Sequence, residues 1–349
     1  MLRFPRPLTS GATIGVTAAS SGVAGAALAR LDTVLAALRG RGFRIVEGAH
    51  LRRQHQDASA PAPERAAELM RFLVDPAIDA VLPPWGGERA IELLPLLDFD
   101  ALRARPAKWL SGFSDLSTLQ LPLALCAGWA SAHGTNLMDM VPRQTDPLVT
   151  GALDRLSHEG PAPLVQHAST RYQARGTPLA DDPATPLNLT EPTRWRRLDG
   201  RDDEALVLQG RLIGGCLDTV SRLAGTRYGD LPRFVRDSGP DGVLLYLENC
   251  ELSPCEELRA LVSLRLHGWF DGLAGLLLGR SAAPPADGPG RLDHEQAVRD
   301  ALGGLACPVL LDLDIGHRQP QFTLVNGALA VCRYEAGGGS LAQSWSSAP

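Results

Sequence analysis

The sequence predicts an α/β protein with an N-terminal parallel sheet of the flavodoxin or Rossmann type and a C-terminal domain of mixed α/β structure. Two observations support this class. The chain has 349 residues, 44% of them hydrophobic, so it is longer than one typical domain and can bury two cores. Short apolar runs alternate with segments of helical periodicity, which is the pattern of βαβ units.

A segment rich in Pro, Thr and Asp interrupts this alternation near the middle of the chain. Such a composition is typical of a linker or a surface excursion. We therefore predict an N-terminal α/β domain over residues 1–145, a linker or surface segment over residues 146–200, and a C-terminal α/β domain over residues 201–349.

The N-terminal domain is predicted to alternate strand and helix from its first apolar run. The predicted strands are ATIGVTAAS, FRIVEGA, IDAVLPP, AKWLSGFS and WASAHG, and the helices between them are AGAALARLDTVLAALRGRG, PERAAELMRFLVDP, ERAIELLPLL and LSTLQLPLALCAG. The helices follow from apolar residues at helical spacing, and the first one closes on glycine. Because parallel sheets bind ligands at the carboxyl ends of their strands, we expect functional side chains there.

The C-terminal domain is predicted to contain several strands and at least one antiparallel pair. The strands are EALVLQGRLIGG, GVLLYLEN, LAGLLLGR and PVLLDLDIGH, and the helices are CLDTVSRLAGT, CEELRALVSLRLHGWF and DHEQAVRDALGGL. The segment QFTLVNGALAVCR predicts a hairpin that turns at Asn326-Gly327, since Asn-Gly favours a type I′ turn.

The composition argues against several classes of partner. A net charge of −5 with 34 Lys and Arg residues disfavours a nucleic-acid-binding surface. The N-terminus lacks the apolar core of a secretory signal, and no apolar run reaches the about 18 residues of a membrane span. The six cysteines form no CxxC pair, which favours buried, reduced thiols. A cytoplasmic protein that contacts neither membrane nor nucleic acid is expected.

The segment KWLSGFSDLSTL places Ser114 where a predicted strand stops and a predicted helix starts. On such a turn the hydroxyl is held out of the sheet, and the amides at the start of the helix can stabilise an oxyanion. Ser114 is therefore a candidate nucleophile. The same residues also fit a helix N-cap, because Ser and Asp accept hydrogen bonds from first-turn amides. The pattern alone leaves both interpretations open.

A nucleophilic serine needs a base and a carboxylate that orients the base. His317 and His133 both follow predicted strands, and we favour His317 because it stands after an apolar strand and a glycine. Glu248 ends the apolar strand GVLLYLEN, where an acid is costly unless it has a partner or a task. An edge acid bonded to loop amides is the alternative interpretation, and Asp312 and Asp314 are further candidates for the orienting carboxylate.

Two glycine pairs, Gly86-Gly87 and Gly214-Gly215, each follow a predicted strand and precede a predicted helix. Without a Cβ, the backbone at either pair can approach a ligand closely. Neither GxGxxG nor GxxxxGK[ST] is present, so no nucleotide cofactor is expected. The sequence also has no HExxH and no CxxC, so no metal is expected.

Eight segments, taken in order from about Gly11 to Gly327, carry a family resemblance. They are GATIGVTAASS, WGGERAIELLPLLDFD, KWLSGFSDLSTL, HGTNLM, GRLIGGCLDTVSRLAGT, LLYLENCE, GLAGLLLGR and LDIGHRQPQFTLVNG. Each is short, but the ordered set resembles the LD-carboxypeptidases, serine peptidase family S66. That family includes muramoyl-tetrapeptide carboxypeptidases and the microcin C immunity peptidase.

The resemblance implies a Ser-Glu-His triad at Ser114, Glu248 and His317, and it demotes His133. It also implies that the backbone amides of Asp115 and of the Gly86-Gly87 turn form the oxyanion hole. His317 would take the proton of Ser114 during attack on the amide carbonyl and then protonate the leaving amine. A homodimer without a cofactor is implied as well.

The implied substrate is a small peptide or a peptidyl-nucleotide. The first reading is cleavage of an L,D-peptide bond in cytosolic murein peptides with release of D-alanine. The alternative is hydrolysis of the amide of a peptidyl- or aminoacyl-nucleotide, as in microcin immunity. A third reading is a ligand-binding homologue that has lost the chemistry. A terminal carboxylate would require a buried Arg or Lys, whereas a nucleotide would require an aromatic shelf.

The chain departs from the family pattern at two positions and has further candidate contacts. The family often has Arg where this chain has Trp85, and Asn where it has Cys216. Trp85 is a candidate substrate contact, and its ring could also obstruct the oxyanion turn. Gly215 is a second candidate contact. Trp195 is a third, by analogy with a loop tryptophan that stacks on a nucleobase; the competing interpretation is that Trp195 packs the loop onto the domain.

Overall fold

The computed structural model describes residues 2–159, 162–174, 182–286 and 288–346, and these residues form two large sheets. The strands are β1 (Thr13–Val16), β2 (Arg44–Glu47), β3 (Ala80–Val81), β4 (Trp109–Gly112), β5 (Ala132–His133), β6 (Leu164–His167), β7 (Arg171–Tyr172), β8 (Glu191–Pro192), β9 (Arg196–Arg197), β10 (Leu206–Cys216), β11 (Val243–Glu248), β12 (Gly275–Gly279), β13 (Val309–Leu313), β14 (Leu324–Val325), β15 (Leu329–Glu335) and β16 (Gly338–Ser344).

The first sheet has six strands in the order β14-β5-β4-β3-β1-β2. Strands β1 to β5 are parallel to their neighbours, and β14 joins the edge antiparallel to β5. The second sheet has eight strands in the order β6-β16-β15-β10-β11-β12-β13-β9. Its centre, β10 to β13, is parallel, and its flanks are antiparallel. The predicted class, a parallel N-terminal sheet followed by a mixed one, is confirmed.

Helices cover both sheets. The α-helices are α1 (Ala27–Gly40), α2 (Ala62–Val74), α3 (Phe99–Arg103), α4 (Ser117–Pro122), α5 (Pro147–Thr150), α6 (Ala152–Leu156), α7 (Leu217–Val220), α8 (Leu231–Ser238), α9 (Pro254–Leu266) and α10 (His294–Leu302). The predicted helix ERAIELLPLL is a 3-10 helix over Ala90–Leu96, with Pro95 inside it. Among the described residues, none of the helices has the length and apolarity that crossing a membrane requires.

The middle segment, predicted as a linker or surface segment, supplies two edge strands to the second sheet. Its strands β6 and β9 lie at the two edges of the eight-stranded sheet. Gln166 on β6 is buried and bonds the backbone of Thr323 through both its amide oxygen and its amide nitrogen. A short polar strand can join a sheet edge because its backbone supplies the hydrogen bonds, and such a strand leaves little apolar signal in the sequence.

The prediction of a hairpin that turns at Asn326-Gly327 is wrong. Strand β14 before the turn pairs with β5 of the first sheet, whereas β15 after it pairs with β10 and β16 of the second. The turn therefore carries the chain from one sheet to the other. The hairpin of this region turns at Ala336-Gly337, whose φ angles of 38° and 90° are both positive, as a two-residue hairpin turn prefers.

The two domains share one apolar core. Leu116 and Leu119 of the N-terminal half belong to the same buried cluster as Ile213 and Leu245 of the second sheet. Helix α4 lies against the end of β10, where the backbone amide of Cys216 donates to Ser117 Oγ at 3.0 Å. The carboxyl ends of β4, β11 and β13 consequently face one common region between the domains.

Candidate active site

Ser114 lies on a strained turn directly after β4. It is a non-glycine residue with φ of 70°, a conformation that costs about 1–3 kcal/mol and persists where the surroundings enforce it. Asn136 provides part of that enforcement, because its Oδ1 accepts from the backbone amide of Phe113 at 3.0 Å. A Cβ on Gly112 would lie 2.7 Å from the same oxygen. The turn thus has the geometry of a nucleophile elbow rather than of an ordinary helix cap.

The structure brings Ser114, His317 and Glu248 into one hydrogen-bonded chain. His317 Nε2 lies 3.0 Å from Ser114 Oγ, and His317 Nδ1 lies 2.8 Å from Glu248 Oε2. Because an ionised carboxylate only accepts, the Nδ1–H donates to Glu248 and leaves the Nε2 lone pair free to accept the Ser114 hydroxyl. These three residues can therefore act as nucleophile, base and orienting acid.

Two neighbours fix the imidazole of His317. Gly316, with φ of 90°, packs so closely that a Cβ there would lie 2.4 Å from both Cγ and Oε2 of Glu248. The ring of Phe113 meets the His317 ring edge-on, with 4.7 Å between centroids. The Gly316 backbone therefore packs on Glu248, and the Phe113 ring contacts the imidazole.

The loop after Glu248 is also fixed by hydrogen bonds. Asp218 accepts from the backbone amides of Cys250 and Glu251 at 3.0 and 2.8 Å. Asn249 Oδ1 accepts from the amide of Leu252 at 3.0 Å. Glu251 itself is exposed, so the buried carboxylate near His317 belongs to Glu248.

Burial and ion pairing have opposite effects on the pKa values of Glu248 and His317. Burial alone would raise the pKa of Glu248, but the adjacent His317 lowers it below its usual range. Burial alone would lower the pKa of His317, but the Glu248 charge and hydrogen bonds to Cys250 and Glu248 raise it well above 6.5. An imidazolium that is stabilised in this way is the charge state that forms when a base takes a serine proton.

Asp115 connects the elbow to the loops around it. Its buried Oδ2 accepts from Ser20 Oγ at 2.6 Å and from the backbone amide of Ala90 at 2.8 Å. Burial raises the pKa of Asp115, an effect that these hydrogen bonds reduce. The carboxylate therefore holds the Gly86-Gly87 loop beside Ser114.

The Gly86-Gly87 turn packs closely on its neighbours beside Ser114. A Cβ on Gly86 would lie 2.7 Å from the Asp115 nitrogen and 2.7 Å from Ser114 Cβ, so only glycine allows this approach. Gly87, with φ of 139°, packs equally closely on Ser21. The amide of Asp115 stands in the first turn of its helix, where intrahelical acceptors are missing. These positions fit the predicted oxyanion hole, whose role stays a prediction.

Ser114 and His317 open onto a cleft of about 490 Å³. Trp85 forms one wall, and its Nε1 donates to the carbonyl of Ser21 at 3.2 Å. Gln54 and Asn136 contribute amide groups to the lining. Among the described residues that line this cleft, none is Lys or Arg.

Two predicted substrate contacts lie outside the cleft. Trp195 is completely buried, stands edge-on to Phe322 and donates from Nε1 to Asp314 Oδ2 at 3.0 Å, so it packs its segment onto the domain. Gly215 lies on β10 against α4, where a Cβ would meet Ser117 Cβ at 2.6 Å. A stacking surface must be exposed and a contact must reach the ligand, so both predictions are corrected.

The competing triad candidates have structural partners of their own. His133 is buried, bonds Ser117 through Nδ1 at 3.4 Å, and has its pKa lowered to about 4 by burial. Asp314 pairs with Arg280 at 3.0 Å, and Asp312 pairs with Arg196 at 2.6 Å. The structure brings none of the three into hydrogen-bonding contact with Ser114 or His317.

The sequence reading missed two supports of the site. Asn136 lies in the segment HGTNLM and Ser20 in the segment GATIGVTAASS. Both are small polar residues at or near the ends of predicted strands, and the expectation that functional groups gather at strand ends could have found them.

Comparison with known proteins matches both halves of the chain to one family. Residues 14–134 match the LD-carboxypeptidase N-terminal domain, and residues 209–331 match the LD-carboxypeptidase C-terminal domain. The chain is 30% identical over 337 residues to a protein of Streptomyces coelicolor named as a carboxypeptidase, covering 93% of this chain and 92% of that one.

Two further relatives differ in their named roles. The microcin C7 self-immunity protein MccF of Escherichia coli is 26% identical, with 92% of this chain and 90% of that one covered. A protein of Bacillus subtilis named as a murein peptide carboxypeptidase is 25% identical, with 93% and 90% covered. A solved structure of MccF in complex with glutamyl sulfamoyl guanosine has a TM-score of 0.84 at 23% identity and covers 99% of this chain and 100% of that one, which shows the fold.

Proposed function

Because this chain belongs to the LD-carboxypeptidase family, a family of serine hydrolases, we propose that Ser114, His317 and Glu248 are its catalytic triad. The observation that supports this most directly is the pair of hydrogen bonds, 3.0 and 2.8 Å long, that links the three side chains. The strained φ of Ser114 adds to it, since such strain is maintained at functional turns.

In the proposed mechanism, Ser114 Oγ attacks the amide carbonyl while His317 Nε2 accepts its proton. Glu248 stabilises the resulting imidazolium through Nδ1–H. The oxyanion of the tetrahedral intermediate accepts from the amides of Asp115 and the Gly86-Gly87 turn. His317 then protonates the leaving amine, and a water molecule, deprotonated by the same imidazole, releases the acyl group from Ser114.

The proposed substrate is a murein peptide in the cytoplasm, cleaved at an L,D-peptide bond with release of D-alanine. The family and the B. subtilis relative support this class. The terminal carboxylate would be bound by the side-chain amides of Gln54 and Asn136, since the described cleft lining has neither Lys nor Arg. A homodimer is proposed with it and is tested by analytical ultracentrifugation.

A second candidate is hydrolysis of the amide of an aminoacyl- or peptidyl-nucleotide. The observation that favours it is Trp85, an aromatic ring at the cleft wall where a base could stack. The absence of Lys and Arg from the described lining points the same way, since a buried cation is what a terminal carboxylate usually needs. MccF, the relative named for microcin immunity, binds such aminoacyl-sulfamoyl nucleotides in its solved structures.

The two candidates are separated by incubating the protein with a murein tetrapeptide and with glutamyl sulfamoyl adenosine, and measuring D-alanine or the free amine. Ser114→Ala should lose activity by about 10⁶-fold, as for removal of a serine nucleophile. Ser10→Ala, which changes an exposed serine, is the matched control. Turnover of one substrate decides between them. Equal turnover by wild type and Ser114→Ala would refute the nucleophile, and saturable binding without turnover would favour a non-catalytic binding protein.

A further inference from the structure

A thiol, a carboxylate and an imidazole meet on the inner side of the triad. Cys216 Sγ, a Glu248 carboxylate oxygen and a His317 ring nitrogen all lie within 4.8 Å of one another. Cys216 and Glu248 are directly paired residues at the ends of the parallel strands β10 and β11, so their side chains project to the same face of the sheet. The sheet itself therefore builds this cluster.

Glu248 has an unused oxygen at this point. Its Oε2 accepts a hydrogen bond from His317. Its Oε1 is buried and has no hydrogen-bond partner. The side chain is completely buried. The nearby Cys216 thiol is only a weak donor, and its Sγ donates to Asp218 Oδ2 at 3.4 Å. A buried carboxylate oxygen without a good partner is costly, and it marks a position where a positively charged ligand would be stabilised.

We propose that Cys216, Glu248 and His317 bind a thiophilic divalent cation of the Zn²⁺ class, and that this cation inhibits the enzyme. Sulfur, imidazole nitrogen and carboxylate oxygen are the three ligand types that Zn²⁺ takes in proteins. Tetrahedral coordination at ordinary Zn²⁺ bond lengths places ligand atoms about 3.5 Å apart. Small side-chain movements close the gap between that spacing and the 4.8 Å limit of the cluster.

The cation would inhibit the enzyme by changing which nitrogen of His317 carries the proton. This inhibitory role rests on the proposed function of His317 as the catalytic base. The cation replaces the proton on His317 Nδ1, the nitrogen that faces Glu248, and it replaces the thiol proton of Cys216; both protons go to solvent. A neutral imidazole bound through Nδ1 carries its remaining proton on Nε2. Nε2–H then donates to Ser114 and has no lone pair with which to accept the serine proton.

Binding is tested on the full chain without any substrate. Titration calorimetry with ZnCl₂ should give one site, and Co²⁺ should produce a thiolate-to-cobalt charge-transfer band. Cys216→Ser should weaken Zn²⁺ binding at least 100-fold and abolish that band. Cys255→Ser is the matched control, because Cys255 is an exposed thiol and should change neither result. Equal Zn²⁺ affinity in wild type and Cys216→Ser would overturn the site.

Inhibition is tested separately with whichever substrate is turned over. Zn²⁺ should lower kcat of the wild type at least tenfold with little change in KM, and EDTA should reverse it. Cys216→Ser and, as a second variant, Cys216→Ala should stay active in the same Zn²⁺ concentration. Loss of activity in both variants at equal Zn²⁺ would overturn the inhibitory role. If no substrate is turned over, calorimetry and the cobalt spectrum still decide whether the cation binds.

Discussion

Replacing Trp195 by Phe tests whether this tryptophan is a structural residue or a substrate contact. The indole is completely buried and donates to Asp314, which also pairs with Arg280. Trp195→Phe removes one hydrogen bond to a charged group, worth about 1.5–3 kcal/mol. We therefore expect a loss of stability and no change in KM for either substrate class.

Trp129→Phe is the matched control for this prediction. Trp129 is equally buried, but its Nε1 has no hydrogen-bond partner, so the same substitution removes a similar volume without removing a hydrogen bond. Each kcal/mol corresponds to about 2–4 °C of Tm in a chain of 150–250 residues, and to somewhat less in a longer one. Thermal unfolding should place Trp195→Phe a few degrees below Trp129→Phe. Equal Tm values together with a tenfold rise in KM for the nucleotide substrate would refute the packing role.

Three further predictions concern the site. In Glu248→Gln the maximal rate should fall roughly 10⁴-fold, as when an orienting carboxylate is lost. His317 must be neutral to act as a base, and this variant removes the Glu248 charge that raises the His317 pKa above 6.5. The acid limb of the kcat/KM pH profile should therefore move to lower pH. An unmoved limb would contradict this. Gly316→Ala should cost about 2–5 kcal/mol of stability, because the backbone there is left-handed and the new Cβ would lie 2.4 Å from Glu248. The variant should also lower kcat more than it raises KM. A melting curve like that of the wild type would argue against this prediction. Trp85→Ala should raise KM at least tenfold for an aminoacyl-nucleotide and only slightly for a murein tetrapeptide, and equal effects on the two would remove the stacking role.

The N-terminal sheet and the central strands of the second sheet could be predicted because their signal is local. β4, β11 and β13 are short, largely apolar segments, and polar residues or glycine stand at or close after the end of each. Position alone favours Ser114, Glu248 and His317 as candidates, because each stands at or just past the end of such a strand. The family resemblance then selected the same three residues.

The remaining elements depend on contacts that the local pattern does not encode. Asn326-Gly327 has the composition of a hairpin turn, yet the residues on its two sides pair with different sheets. Strand β9 consists of two arginines, Arg196 and Arg197, whose charges are neutralised by Asp312 and Asp199. Trp195 stands beside that strand in a segment of polar composition, so its burial depends on partners far along the chain.

The residues of the proposed triad come from two domains, so the site depends on how those domains pack together. Ser114 comes from the first sheet, whereas Glu248 and His317 come from the second. The hydrogen bond from the Cys216 amide to Ser117 and the apolar core shared by both sheets hold these halves in register. The 3.0 Å His317–Ser114 hydrogen bond joins these two halves, and it depends on the packing between α4 and β10. A serine on the first domain alone would have neither base nor carboxylate, so integrity of this packing is a condition for the proposed chemistry.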